Sequence, residues 1–178
     1  MVLFSSSVFY IEPRGWGPGA FHRMHRTGSV ASNESKEAWM ICGTRGGKSY
    51  ISALLATYLS VFREYQLSAG ERGYILIVAP TKRQSGIIKR YLNSFFSENE
   101  SLRPFLVNET REEVELSNNV IICVLSSDNR SLRGYTGIAG IVDEVAYLSI
   151  EDSRPGLEII RALRSRLTST GGPLISIP

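Results

Sequence analysis

A glycine-rich stretch, MICGTRGGKSY at residues 40–50, has the residue types and spacing that bind the phosphates of a nucleotide. Glycines let backbone N–H groups approach phosphate oxygens, and a helix that starts at the loop presents further N–H groups to the same oxygens. Lys48 would then reach the β- and γ-phosphates, and the Ser49 hydroxyl would bind Mg²⁺. The stretch predicts a phosphate-binding loop; a glycine-rich turn with a solvated lysine is the alternative.

The loop departs from the usual pattern at one position. Alignment with G-x-x-x-x-G-K-[ST] puts Gly47 at the second glycine and Cys42 in place of the first. We interpret Cys42 as a small residue that ends a strand, because a lone buried cysteine usually behaves as a small hydrophobe; a reactive thiol near the nucleotide is the alternative. The predicted nucleotide-binding residues are Cys42, Gly43, Thr44, Arg45, Gly46, Gly47, Lys48, Ser49 and Tyr50.

Two adjacent acids follow an apolar run, GIAGIV at residues 137–142. The run predicts a buried strand that delivers Asp143 to the carboxyl edge of a sheet, where its carboxylate can hold Mg²⁺ opposite Ser49. Glu144 comes next and is positioned to polarise an attacking water as a general base. Such a pair is often only structural, but in combination with the loop it predicts a site that hydrolyses a nucleotide.

Two arginines are candidates for stabilising the transition state. Arg133 lies in a polar segment before the Asp143 strand, and Arg45 lies within the loop. A guanidinium can neutralise the negative charge that spreads over the γ-phosphoryl oxygens. Each arginine could equally lie on the surface or in a salt bridge, so the residues alone leave both assignments open.

Structural roles are favoured for two other groups of residues, a pair of histidines and a set of three aromatic residues. His22 and His25 have a spacing that could suit a metal, but no third ligand is evident nearby and a solvated basic arm is favoured. Tyr91, Phe95 and Phe96 have helical spacing, which predicts core positions rather than a platform for stacked bases.

Strands alternate with helices along the chain. Apolar runs predict buried strands at 38–42, 74–80, 137–144 and 173–178, and a hairpin at 114–125 with its turn at 117–119. Helical spacing predicts one helix after Lys48, a second that includes Ile87 to Phe96, and a third after Gly156. Strands that alternate with helices of this length predict an α/β fold, with a mainly parallel sheet and helices on both faces.

The first of these helices is expected to bury one apolar face. Its apolar residues recur at i, i+3, i+4 and i+7, which is typical of a helix with one side in the core. The residues of this predicted face are Ile51, Leu54, Leu55, Tyr58, Leu59 and Phe62.

Composition limits the class of protein. A chain of 178 residues with 43% hydrophobic residues fits one globular domain. The net charge of +3 permits contact with a polyanion without requiring it. No apolar stretch approaches the ~18 residues of a membrane helix, and the apolar start lacks the basic region of a signal peptide. We expect a soluble intracellular protein in which Cys42 and Cys123 are reduced.

The division of the chain follows its composition. Residues 12–35 are rich in Gly, Pro, Ser, His and Arg, which predicts a loop or mobile arm. We therefore divide the chain into an N-terminal arm at 1–35 and one domain at 36–178. Because the chain stops on an apolar strand at Pro178, we expect that a C-terminal part is missing.

Four segments, in this order, resemble the ATPase domain of the large terminase subunit of tailed bacteriophages: CGTRGGKS, YILIVAPTKRQSG, SLRGYTGIAGIVDEVAYL and SIP. The resemblance spans about residues 38–178. Its most specific part is the arginine–glycine pair followed by a strand into VDEVAY, although Val145 and Ala146 stand where two small residues are more usual. The resemblance implies a P-loop NTPase of the RecA-like (ASCE) class, with a central sheet flanked by helices.

The resemblance implies a role for each residue that matches. Lys48 and Ser49 match the Walker A lysine and hydroxyl, Asp143 matches the Walker B metal ligand, and Glu144 matches the catalytic glutamate. A first glycine replaced by another small residue is familiar in terminase loops, so Cys42 is compatible with the family.

Further matches concern coupling between subunits. Arg133 matches the arginine that family members insert into the neighbouring subunit's site, and Arg45 matches a loop arginine that many members carry. Ser176, Ile177 and Pro178 resemble the coupling motif, which senses the γ-phosphate and links hydrolysis to movement. No segment of the arm matches the family's adenine-contacting motif, so the adenine contacts stay unassigned.

The family's ligands and partners become expectations for this chain. The expected ligands are ATP and Mg²⁺. The expected partners are double-stranded DNA, the portal protein of the procapsid and the small terminase subunit. The expected location is the host cell cytoplasm, without contact with a membrane. Active motors are rings, whereas the isolated chain is expected to be monomeric. The family's nuclease domain would follow residue 178, so we expect ATP hydrolysis but no DNA cleavage from this chain.

Two other functions remain open. APTKRQSG also resembles a motif with which DEAD-like helicases grip the DNA backbone, but a helicase needs a second RecA-like domain. A nucleotide-binding module without turnover is the third hypothesis, and Glu144 argues against it because a binder does not need that residue.

Overall fold

The centre of the structure is a ten-stranded β-sheet. This structure is a computed structural model, and it describes residues 2–4, 7–10, 25–27, 36–43, 45–127, 134–148 and 156–178. In chain order the strands are β1 (Val2–Phe4), β2 (Ser7–Tyr10), β3 (His25–Thr27), β4 (Glu37–Met40), β5 (Gly73–Ala79), β6 (Leu106–Glu109), β7 (Glu113–Leu116), β8 (Val120–Ser126), β9 (Gly137–Asp143) and β10 (Leu174–Ile177). Across the sheet their order is β3-β2-β1-β4-β10-β9-β5-β8-β7-β6.

The five central strands β4, β10, β9, β5 and β8 are parallel, and antiparallel strands extend the sheet on both sides. Strands β8 and β9 are buried along their whole length, as expected for strands covered on both faces. Ile177 of β10 pairs with Asp143 of β9, and Ser176 of β10 pairs with Trp39 of β4. The carboxyl ends of β4, β10 and β9 therefore lie side by side at one edge of the sheet.

Helices cover both faces of the sheet. The described residues form three α-helices, α1 (Lys48–Val61), α2 (Lys82–Glu98) and α3 (Gly156–Leu167), and two short 3₁₀ helices, Arg103–Phe105 and Val145–Tyr147. Helices α1 and α2 pack on one face, where Phe96 and Ile88 of α2 are fully buried. Helix α3 packs on the other face through Leu163 and Ile160. Each face thus has its own apolar core.

Most of the predicted elements are confirmed. The mainly parallel sheet, the helices on its two faces and the β7–β8 hairpin with its turn at 117–119 all occur. Asn119 in that turn has a positive φ of 62°, which asparagine tolerates better than most residues. Strand β3 lies inside residues 12–35, the segment predicted to be a loop or mobile arm.

The predicted buried face of α1 is confirmed for Leu59, which is buried, and for Ile51 and Leu55, which pack against the core. It is wrong for the other three residues. Leu54, Tyr58 and Phe62 are 48%, 57% and 67% exposed. Besides Leu59, the buried residues of α1 are small ones that the prediction did not include; they are Ser52, Ala53, Ala56, Thr57 and Ser60. Small side chains let the helix lie close to the sheet, and the three hydroxyls donate to carbonyls of the same helix. The buried polar groups are thereby satisfied, so this face can enter the core without large apolar side chains.

None of the helices in the described ranges is long and apolar enough to cross a membrane.

Candidate active site

The glycine-rich segment connects β4 to α1, as predicted. The Gly46 N–H donates to the Gly43 carbonyl at 3.0 Å, and a Cβ on Gly46 would lie 2.9 Å from that oxygen. Arg45 and Gly47 have φ angles of 61° and 76°, in the left-handed region. No side chain caps the start of α1. Its first N–H groups are therefore available to an anion at the carboxyl edge of the sheet.

Lys48 connects the loop with the ends of β9 and β10. Its Nζ donates to the main-chain oxygen of Pro178 at 3.2 Å and lies 3.8 Å from Oε1 of Glu144. The lysine side chain is 16% exposed, so most of it is covered while its ammonium group stays at the site. The structure thus brings the predicted loop lysine to the predicted catalytic glutamate and to the predicted coupling motif.

Ser49 and Asp143 are in direct contact. The Ser49 hydroxyl donates to Oδ2 of Asp143 at 3.0 Å, across 94 positions of the chain. Asp143 is fully buried at the end of β9. Burial raises the pKa of its carboxyl above the usual range, and the Ser49 hydrogen bond and the charge of Lys48 oppose that rise.

The second oxygen of Asp143 indicates where a cation would bind. Oδ1 is buried and has no hydrogen-bond partner among the described residues, although such an atom is costly unless something else satisfies it. A carboxylate and a hydroxyl are oxygen ligands of the kind that Mg²⁺ prefers. No group of three or more His, Cys, Asp or Glu suited to a metal occurs in the described part of the chain. The residues present therefore fit Mg²⁺ held by Ser49, Asp143 and oxygen atoms from outside the chain.

Glu144 has an unusual backbone conformation. Its φ of 50° and ψ of 49° are left-handed, which costs a non-glycine residue about 1 kcal/mol. The carboxylate accepts a hydrogen bond from Nε2 of Gln84 and lies near Lys48, and the side chain is 26% exposed. Strained conformations of this kind cluster at functional sites. The carboxylate is thus held at a partly open position, where it can meet a water molecule.

Gln84 is a site residue that the sequence analysis missed. The Thr81 hydroxyl donates to Oε1 of Gln84 at 2.8 Å and accepts the Gln84 backbone N–H at 3.3 Å, as the N-cap of α2. Because the amide oxygen faces Thr81, the amide nitrogen faces Glu144. The available signal was the T-x-x-Q spacing at 81–84, which is a capping box at a helix start.

Other predicted loop residues lie at the same edge of the sheet. Cys42 is half-buried and packs against the core under α1, while Arg45 is exposed. Tyr50 points away from the loop toward α2, where its ring meets those of Tyr91 and Phe95 edge-on at 5.3 and 5.2 Å. The loop therefore contacts α2 through Tyr50.

The predicted roles of Thr44, Arg133 and His22 fall on residues outside the described ranges, and His25 is described only as part of strand β3. Among the aromatic residues predicted to be core, Phe96 is fully buried and Phe95 packs against the core. Tyr91 is 37% exposed and its ring contacts that of Tyr50, so the core prediction is wrong for this residue.

Solved structures share this fold, although no protein-family model matches the sequence and a comparison with curated proteins finds no match. The large terminase of bacteriophage HK97 superimposes with a TM-score of 0.61 at 19% identity, over 78% of this chain and 28% of that one. The large terminase ATPase domain of Thermus phage P74-26 gives a TM-score of 0.61 at 20% identity, over 80% of this chain and 59% of that one. A mutant of that domain gives 0.60.

The chain thus spans less than two thirds of the length of each of these terminase chains. Sequence identities of 19% and 20% make the likeness one of fold. The fold predicted from the sequence, that of the ATPase domain of phage large terminases, is confirmed by these structures.

Proposed function

We propose that this chain is the ATPase domain of a viral DNA-packaging motor, a large terminase subunit that hydrolyses ATP to move double-stranded DNA into procapsids. The observation that carries the proposal is the 3.0 Å hydrogen bond between Ser49 and Asp143. Each of the two motifs is weak evidence alone, because glycine-rich turns and acidic pairs are common. A contact between their predicted metal-binding atoms supports one shared site.

Phosphate binding follows from the start of α1. Its uncapped N–H groups and the positive end of the helix dipole favour the phosphates of ATP. Lys48 has three N–H donors, of which the Pro178 oxygen takes one. The others are available to the β- and γ-phosphates. A phosphate that draws Lys48 away from Pro178 would change the contact at the end of β10, where Ser176–Pro178 is the proposed coupling motif.

Glu144 is the proposed general base. Its carboxylate orients a water molecule and accepts a proton from it as the water oxygen attacks the γ-phosphorus. The bond from phosphorus to the bridging oxygen breaks, and ADP leaves with inorganic phosphate. Gln84 holds one carboxylate oxygen by its hydrogen bond and thereby limits the orientations of the base. Mg²⁺ bound by Ser49 and Asp143 would neutralise charge on the phosphates.

The motor role needs partners beyond this chain. We propose that subunits assemble into a ring on a portal, with a small terminase subunit and duplex DNA as further partners in the host cytoplasm. Arg133 is proposed to reach a neighbouring subunit's site, where its guanidinium would neutralise the charge of the transition state. Arg45 is the second candidate for that role.

Phosphate release tests the hydrolytic function. Glu144→Gln should keep ATP binding but lower turnover about 10²–10⁴-fold, because the base is lost, and Lys48→Ala should lose ATP binding. Glu100→Gln, which changes an exposed acid elsewhere, is the matched control and should leave turnover unchanged. Absence of turnover by the unaltered protein, even at ring-forming concentrations with DNA, would favour the nucleotide-binding module instead.

A mixing experiment tests the role of Arg133. Arg133→Ala and Lys48→Ala proteins should each be inactive, and their mixture should recover part of the turnover if the arginine acts in a neighbour. No recovery at concentrations that form rings would contradict action in trans.

The protein sequence after Pro178 distinguishes the terminase proposal from the helicase alternative. Nuclease acids there support a terminase, and a second RecA-like domain supports a helicase.

A further inference from the structure

We propose that the exposed face of α2 near Glu144 is the surface on which the sugar–phosphate backbone of duplex DNA lies. The face consists of Lys82, Arg83, Gly86 and Arg90, and is called the α2 basic face below. This inference rests on the proposed function, and names the residues through which the site would sense DNA.

The charge of the α2 basic face is unbalanced. Lys82, Arg83 and Arg90 are all exposed, and within the described residues none of them forms an ion pair. Lys89, on the inner side of the same helix, differs: it is buried and its ammonium group lies 3.1 Å from Glu109. The structure therefore neutralises the inward cation of α2 and leaves the three outward ones available to an anion outside the chain.

Gly86 is the second observation. It lies in the interior of α2, where glycine is less favourable than alanine by about 0.5–1 kcal/mol. A Cβ built on it would meet no atom within 4 Å among the described residues, and its φ is not positive. Within the described residues, neither packing nor backbone conformation requires this glycine. The open space beside Gly86 fits the close approach of another molecule's backbone, which is one of the uses of glycine.

The geometry fits a phosphate backbone. Lys82 and Arg90 are eight positions apart, about 12 Å along the helix axis. This equals the rise of three to four nucleotides, at about 3.4 Å each along one strand of B-DNA. Gly86 lies midway between them and removes the side chain that would hold the strand away from the helix. An acidic protein segment could also contact these cations, but it has no regular charge spacing to match, so we commit to duplex DNA.

The α2 basic face is connected to the catalytic glutamate. Lys82 and Arg83 lie between Thr81 and Gln84 in the sequence, and Gln84 donates to Glu144. Thr81 holds the Gln84 side chain from the other side. A phosphate that shifts the first turn of α2 would therefore change the hydrogen bond to Glu144. DNA binding and ATP turnover would be linked through one turn of helix.

Salt-dependent binding of a duplex oligonucleotide tests the charges. Fluorescence anisotropy would be measured from 0.05 to 0.3 M salt for Lys82→Ala, Arg83→Ala, Arg90→Ala and the control Arg161→Ala, an exposed arginine on the opposite face of the sheet. Each phosphate contact adds about 0.9 to the magnitude of the slope of log K against log salt. Each α2 variant should therefore have a slope smaller by about 0.9 and bind about fivefold more weakly at 0.15 M salt. Arg161→Ala should match the unaltered protein.

Gly86→Ala tests the close approach with two readouts of opposite sign. The melting temperature should rise by about 2–4 °C, because alanine favours the helix and meets no neighbour. DNA affinity should nevertheless fall several-fold, and basal ATP turnover without DNA should stay unchanged. A glycine with only a structural role would not combine higher stability with weaker DNA binding.

Three results would overturn the inference: no duplex binding by the unaltered protein at 0.05 M salt, equal losses in Arg161→Ala and the α2 variants, or Gly86→Ala binding DNA normally. In each case basal ATP turnover still reports separately on the proposed hydrolytic function. If DNA binding is absent and the basic face instead mediates concentration-dependent self-association, the partner is a protein and the DNA assignment is wrong.

Discussion

Replacement of Asp143 by asparagine should make the protein more stable and inactive. Asp143 is fully buried, and its Oδ1 has no partner within the described residues. A buried acceptor without a partner costs about 1–3 kcal/mol, and a charged one costs more. The amide keeps an oxygen for the Ser49 hydroxyl and puts an –NH2 group in place of Oδ1, so the expected gain comes from removal of the buried charge. At about 2–4 °C per kcal/mol for a chain of this size, the melting temperature should rise by several degrees.

The pH dependence of this gain follows from the direction of the pKa shift. Burial raises the pKa of Asp143 in the folded protein, so the folded state holds the proton more tightly than the unfolded state. Between the unfolded pKa near 3.9 and the raised folded pKa, stability falls as pH rises, and the full cost is present above that window. The advantage of Asp143→Asn should therefore be greatest at neutral pH and shrink as the pH falls through the folded pKa.

Thermal melts with EDTA or with Mg²⁺ measure both effects. A Mg²⁺ concentration ten times Kd should stabilise the unaltered protein by about 1.4 kcal/mol and leave Asp143→Asn unchanged. Ser49→Ala is the matched control, because it removes a donor from the same carboxylate and should lower the melting temperature in EDTA. If Asp143→Asn melts below the unaltered protein in EDTA at neutral pH, the reasoning about the unpartnered oxygen is refuted.

Two further outcomes check the packing and the loop. Gly172→Ala should prevent or greatly destabilise folding, since its Cβ would lie 2.1 Å from the Ile138 carbonyl oxygen. Gly70→Ala is the comparison, because Gly70 has a φ of 81° but open space around it. In denaturant melts it should lower the free energy of unfolding by only about 1 kcal/mol. A thiol reagent should label half-buried Cys42 in the native protein, and ATP should slow that labelling. Cys123 should react only after unfolding, because burial raises the pKa of its thiol to about 12. Equal labelling of both thiols in the native protein would contradict this.

The sequence predicts best those elements whose signal is local. Strands β5 and β9 are unbroken apolar runs, and the β7–β8 turn has an asparagine at its positive φ. The contact between Ser49 and Asp143 is also recoverable, because the strand that ends in Asp143 and the loop that leads into Ser49 lie at the same edge of a parallel sheet.

Features that depend on distant contacts could not be predicted in this way. No local pattern places β10 between β4 and β9, so the contact of Lys48 with Pro178 was not foreseen. The buried face of α1 was misassigned in part, at Leu54, Tyr58 and Phe62, because hydropathy favours large apolar residues, whereas close packing on the sheet selects small ones. Gln84 was missed because its partner Glu144 is 60 positions away.

The exposed side of α1 predicts how the protein should respond to different salts. Leu54, Tyr58 and Phe62 are four residues apart and form a ladder of apolar side chains, and the rings of Tyr58 and Phe62 stack at 5.8 Å. Association through such a ladder strengthens in sulfate and on warming, whereas association through phosphate contacts weakens as salt rises. If the proposed DNA binding occurs, sodium chloride should release the nucleic acid, whereas ammonium sulfate should favour self-association through α1.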